Sequence, residues 1–286
     1  MNVKYYLLSM TVIGMLTACS GEKKESAAVD GQDTTEKKVD ADQPTGDVFI
    51  YTAEHRKEKT QPDKAKVLIS KKLGSINENE FSGNTTIEEV WIGEQVQHIA
   101  NGAFQGCTNL KKIHLAGPLP VINDGAFTDC SALEELKGDV YTIGVDGFKG
   151  CTSLKSVVMG EHAYWIRVGA FDGCKNLKKL ILADTMSKLE DGAFDGCTAM
   201  EEISIPNDFK NRMFGMFPNP DKLRKVYLLT TEFYPMPKNC QPSKECTLYV
   251  PDTFLQQFKA DEQWSQFGSI EPMSKSQYYT AEGFLK

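Results

Sequence analysis

The chain is poor in the patterns that most often carry chemistry. Its four histidines, His55, His98, His114 and His162, are scattered, and no C-x-x-C pair or closely spaced histidine pair offers the ligand spacing of a zinc site. No G-x-S-x-G, H-E-x-x-H or phosphate-binding loop occurs, so the common nucleophile, metalloprotease and nucleotide motifs are missing. The acidic doublets Glu88-Glu89, Glu134-Glu135 and Glu201-Glu202 do not replace them, because neighbours on a strand point to opposite sides. Positive charge is not in surplus either. With 32 Lys and Arg against 39 Asp and Glu, the net charge of -7 disfavours a nucleic-acid backbone as partner. These gaps set the expectation of a protein that is not an enzyme and has neither cofactor nor metal.

What the chain has is a repeat. The stretch GAFQGCTNLKKIHL from Gly102 returns from Gly125, Asp146, Gly169 and Gly192, with Phe104, Phe127, Phe148, Phe171 and Phe194 spaced 23, 21, 23 and 23 residues apart. Each of these phenylalanines is followed three residues later by a cysteine. A period in the twenties is the signature of a solenoid, in which each unit is too short to enclose a core and must be covered by its neighbours. The alternation at the end of each unit, as in Ile113 and Leu115, predicts one strand per repeat in a parallel sheet. The GAFxGC segment reads as a tight turn with short helical character, its glycines supplying positive φ.

The pattern formed by Ile99, Ala103, Phe104, Cys107, Leu110, Ile113 and Leu115 resembles the BspA-type leucine-rich repeats. That resemblance implies an α/β repeat fold: a right-handed solenoid with one parallel β-sheet on its concave face, short helices or turns opposite, and a C-terminal helical cap. The expected divisions are a signal at 1–18, a lipidated cysteine and tether at 19–46, an N-terminal cap at 47–72, the solenoid at 73–250 and the closing cap at 251–286. Degenerate repeats stand at both ends, with Phe81 and Asn84 in the phenylalanine and cysteine positions of one and Phe217 and Pro220 in those of the other. In the closing cap Asp252 suits the N-cap of a short helix, and Trp264 and Phe267 are placed to seal the apolar end.

At the other terminus, Lys4 precedes an apolar run from Tyr5 to Ala18, too short for a transmembrane helix and flanked like a secretory signal. Leu16-Thr17-Ala18-Cys19 resembles a bacterial lipobox, which implies cleavage before Cys19 and lipid attachment to it. An ordinary signal peptide with a chance cysteine is the alternative. From Ser20 to about Gly46 there is no aromatic residue, and the polar composition reads as a flexible tether. The resulting expectation is a monomer anchored by lipid in the outer membrane and displayed at the cell surface.

Cys107, Cys130, Cys151, Cys174 and Cys197 fall at one phase of the repeat, so they stack as buried free thiols rather than bridge. Cys240 and Cys246 lie outside that ladder and are the one pair open to either a disulfide or two free thiols. Two further positions of the repeat, from Glu88, Lys111 and Glu134 onward and from Glu89, Lys112 and Glu135 onward, alternate in charge, which predicts in-register pairs across neighbouring strands. A third position reads Trp91, His114, Lys137, Val158, Ile181, Ser204, Tyr227 and Tyr249. Aromatic and aliphatic groups on an exposed concave face mark a partner surface, so Trp91, His114, Lys137, Val158, Ile181, Tyr227 and Tyr249 form the candidate ligand-binding row. The other reading is that the tether, the N-terminal cap or a neighbouring molecule covers it. The family resemblance implies adhesion to a host or microbial protein. An envelope assembly component binding a periplasmic or outer-membrane partner or a glycan is the second hypothesis.

Overall fold

The computed structural model describes residues 44–116, 120–138, 140–210, 216, 219–238, 240–241, 243–280 and 283–284. The signal, Cys19, almost all of the tether, and Phe217 lie outside the described residues. Strands Val48–Tyr51, Lys66–Ile69, Glu89–Ile92 and Lys112–Leu115 form a four-stranded parallel sheet. Glu135–Lys137, Ser156–Met159, Lys179–Leu182, Glu202–Pro206, Lys225–Leu229, Thr247–Val250 and Ser269–Pro272 form a seven-stranded one. The two meet where Glu134 N–H donates to the Lys111 carbonyl (3.2 Å), so one strand face continues from Val48 to Pro272. Residues 47–72 contribute two strands to this face and residues 251–286 contribute one, all in the same parallel register.

The opposite wall carries the expected turns and, between them, short strands. A second, six-stranded parallel sheet is built there from the two-residue strands Ser75–Ile76, His98–Ile99, Val121–Ile122, Thr142–Ile143, Trp165–Ile166 and Lys188–Leu189. Each buries one aliphatic side chain at the same phase, and two residues suffice because the neighbouring turns continue the hydrogen bonding. Phe104 N–H donates to the Ala126 carbonyl, Phe127 to Gly147, Phe148 to Ala170 and Phe171 to Ala193, at 2.7–2.8 Å. The backbone of each turn is thus satisfied by the next repeat, as a buried polar backbone requires. The turn needs positive φ: Gly106 sits at φ +71°, and at Gly196 a Cβ would come within 3.2 Å of the Gly173 backbone. Asp129 takes the place of that glycine in its own repeat at φ 59°.

Between the walls runs a column of fully buried rings. Phe81, Phe104, Phe127, Phe148, Phe171 and Phe194 stack at 5.0–5.5 Å between centroids, and Tyr51 closes the column in a T-shaped contact with Phe81, centroids 4.7 Å apart. Beside it the five ladder cysteines are buried and free. Each thiol donates to a phenylalanine carbonyl, Cys107 to Phe81 at 3.1 Å and Cys151 to Phe127 at 3.2 Å among them. Burial pushes the Cys107 and Cys174 thiols up to about 12. Cys240 and Cys246 are also free buried thiols, which closes the disulfide alternative in this structure. Asn84, in place of a ladder cysteine, accepts from the N–H groups of Thr86 and Ile87.

The closing segment runs as a 3-10 turn at Asp252–Phe254, an α-helix at Leu255–Ala260 and a 3-10 turn at Trp264–Gln266. Trp264 is fully buried against Phe258 and Tyr234 and donates its indole N–H to the Tyr234 carbonyl (3.0 Å). Asp252 does not cap the helix by its side chain. Its carboxylate accepts instead from Ser274 N–H at 3.2 Å, drawing in the segment that follows the last strand.

Candidate functional site

The register on the strand face sets its columns of side chains. Glu89 pairs with Lys112, Lys179 with Glu202 and Glu202 with Lys225 as Cα partners. The charges follow as expected, with Lys111–Glu88 at 2.7 Å, Lys155–Glu134 at 3.1 Å, Lys178–Glu201 at 2.9 Å and Lys179–Glu202 at 3.5 Å. A strand slipped by one repeat would set like charges together at several of these steps.

Two residues further along each strand lies the candidate row. At its first end Ile50 is 55% exposed, Leu68 is half-buried and Trp91 is 7% exposed. The Trp91 indole lies parallel on the His114 imidazole, with centroids 4.3 Å apart and planes within 1°. His114 Nε2 is 3.7 Å from the Glu89 carboxylate, and Lys137, at the end of its short strand, is exposed. This half of the row is therefore open only at Ile50 and Lys137, with His114 half-buried and Trp91, contrary to expectation, buried.

The other half is not open, contrary to expectation. Val158 and Tyr249 are half-buried, while Ile181, Ser204 and Tyr227 are buried. The tether, named as one alternative cover, lies almost wholly outside the described residues. The cover is the chain's own C-terminal segment: Met273 is buried with Ile181, Tyr227 and Leu229, and Tyr278 packs on the same cluster. Tyr227 stacks on Tyr249 at 4.8 Å, meets Tyr278 edge-on at 5.4 Å, and donates its hydroxyl to Glu202 at 2.6 Å. Burial first, and Glu202 next, push the Tyr227 hydroxyl pKa far up. Ser204 takes the Leu182 N–H (2.6 Å) and donates to the Leu182 carbonyl (2.7 Å), which satisfies that strand where the regular pairing stops. Ile181 and Tyr227 are thus core residues in this state. The missed signal was Met273 and Tyr278, apolar groups that follow the strand Ser269–Pro272 outside the repeat.

The opposite wall carries a second exposed aromatic group that sequence reasoning passed over. Tyr141, 42% exposed, stacks on Tyr164 at 5.2 Å, and Lys188 lies 4.7 Å from the Trp165 ring centroid. Among the described residues no three His, Cys, Asp or Glu come together as a metal set, and no helix is long and apolar enough to cross a membrane.

The model of the BspA type leucine rich repeat region matches residues 63–139 and 134–240 in six copies. The chain belongs to the BspA-type leucine-rich-repeat proteins. No curated protein matches it. Its fold is similar to that of a leucine-rich repeat protein from Bacteroides ovatus, at 20% identity and a TM-score of 0.44, covering 70% of this chain and 64% of that one. A Treponema pallidum leucine-rich repeat protein is similar at 18% identity and a TM-score of 0.41, over 72% and 82% of the two chains. BspA-type repeats stack into a scaffold in which each unit is covered by its neighbours, as the two parallel sheets of this chain are.

Proposed function

We propose that this BspA-type protein is a non-catalytic recognition protein of the bacterial cell surface, held by lipid on Cys19, and that it binds a partner protein through the open half of its strand face. The observation that carries this reading is the exposure of Ile50 and Lys137 in a row whose half-buried His114 stacks on the buried Trp91. Aromatic anchors with a mixed polar border suit a protein surface, where Trp contributes much of the binding energy and the rim supplies complementarity. Ile181 and Tyr227, which the chain itself covers, are left out of the contact. The lipobox-like Leu16-Thr17-Ala18-Cys19 supports the anchor. The test is protease treatment of intact cells with antibody detection of the repeats and a periplasmic protein as control. Loss of the repeats with the control intact supports the reading, and full protection overturns it in favour of an envelope partner.

A further inference from the structure

The covered half of the row has an occupant whose chemistry can be read. After the last long strand, residues 273–280 turn back over the sheet, placing Met273 (4% exposed) in the Ile181–Tyr227–Leu229 cluster and the Tyr278 ring edge-on to Tyr227, with Lys179 Nζ 5.9 Å from that ring's centroid. The backbone of this strap is bonded largely within itself. Ser276 N–H donates to the Met273 carbonyl, Tyr279 N–H to the Ser276 carbonyl and Tyr278 N–H to the Ser276 hydroxyl, and Tyr279–Thr280 pairs antiparallel with Gly283–Phe284. Its anchors on the sheet include the Met273 and Tyr278 side chains, the Ser274 bond to Asp252 and the Lys275–Glu271 ion pair at 2.7 Å. Undocking this element would leave those internal bonds intact.

A cavity of about 460 Å³ flanks the strap, lined by Met273 and Tyr279 on its side and by Ala183, Thr185 and Leu229 across from them. Glu161, Asp184 and Asp252 also line it, so a long side chain entering there meets an apolar floor and three carboxylates. We infer that the strap is the resident occupant of a peptide-docking groove, displaced by an extended partner segment that carries an aromatic residue followed by Lys or Arg. The aromatic ring takes the place of Tyr278 on Tyr227, and the cation enters the acidic cavity. This deepens the recognition reading by adding a second, gated half to the same face, and it is testable without the surface ligand.

The probe is a fluorescent synthetic peptide of residues 271–280. It is expected to bind a Met273→Ala/Tyr278→Ala full chain at least about tenfold tighter than the wild type, where the tethered strap competes at an effective concentration of about millimolar. The same peptide carrying Tyr279→Arg should bind about threefold tighter again, an advantage lost in 1 M salt. Equal binding to wild type and to a variant with wild-type circular dichroism and unfolding midpoint overturns the groove, and an Arg peptide no tighter than the first overturns the cation preference. Hydrogen exchange on the wild type gives an answer that needs no folded variant: Ser276 and Tyr279 amides exchanging far faster than Val226 and Leu248 support undocking, and equal protection refutes it. Because the probe is the chain's own strap and not the surface ligand, failure here is distinguishable from failure of the open-face reading.

Discussion

Trp91 and Tyr227 occupy the same position of the repeat and both are buried, yet Trp91 stacks on a half-buried His114 in the half of the row whose Ile50 and Lys137 are exposed, whereas Tyr227 lies under a second segment of the chain. The difference does not lie in their strands, which share register and neighbours of alternating charge. It lies in what crosses above them. Over Tyr227 the chain lays Met273 and Tyr278, and over Trp91 the principal ring contact is the neighbouring His114. On a solenoid, repeat phase decides which way a side chain points, but only the non-local cover decides whether it binds a partner or stabilises the fold.

The largest effect that would sharpen this contrast is on stability. Tyr227→Ala should cost about 3–5 kcal/mol, since it removes a buried ring, its stacking on Tyr249 and the hydroxyl bond to Glu202, whereas Lys137→Ala should change unfolding by less than about 0.5 kcal/mol. Urea titration measures both. Equal costs would mean that the two halves are not differently covered.

Next in size is the alkaline response of the ladder that runs behind both halves. A buried thiol held at about 12, against an ordinary value of 9.0, keeps its proton in the folded state while the unfolded chain releases it. The unfolded state then binds fewer protons, so stability is full below about pH 9 and falls as pH rises from there toward about 12. The slope is about 1.4 kcal/mol per pH unit for each thiol. Cys174→Ala should flatten that slope by one thiol's share in unfolding curves taken at pH 8 to 10.5. An unchanged slope would show that Cys174 is not held neutral by burial.

A smaller effect compares Glu202 with Glu89, which hold the same repeat position under the strap and in the open half. Glu202 accepts the Tyr227 hydroxyl at 2.6 Å between Lys179 and Lys225, while Glu89 lies 3.8 Å from Lys112 with its side chain twice as exposed, 25% against 12%. Glu202→Gln is expected to lower stability by about 1–2 kcal/mol and Glu89→Gln by less than about 0.5 kcal/mol. Thermal unfolding at matched pH separates them. Smallest of all, Lys155→Ala should leave the unfolding midpoint within error, because its pairing with Glu134 is solvent-exposed.

Much of the interior was legible from spacing alone. The phenylalanine column, the free thiols and the charge register follow from a period that puts equivalent residues one above another, and Phe81 and Asn84 could be placed by phase even in a degenerate repeat. The second sheet was less legible, because strands such as Ser75–Ile76 and Trp165–Ile166 are too short to alternate and draw their bonding from adjacent turns. The strap was hidden for a different reason. Its contacts join Met273 and Tyr278 to Ile181 and Tyr227, far apart in the chain and outside the repeat, so no periodicity announces them. Asp252 shows the same limit: a residue suited to capping the next helix serves the strap instead.

The most direct test of the open half is a binding comparison made after screening the purified chain against a panel of extracellular proteins. The best partner is titrated against folded Trp91→Ala, His114→Ala and Lys137→Glu variants, with Tyr141→Ala and Lys188→Ala on the opposite wall as controls. Recognition through the strand face predicts at least about a tenfold loss for the first group and less than about twofold for the second. Unchanged binding in the first group together with a tenfold loss in the second would contradict it and move the site to the Tyr141–Tyr164 wall.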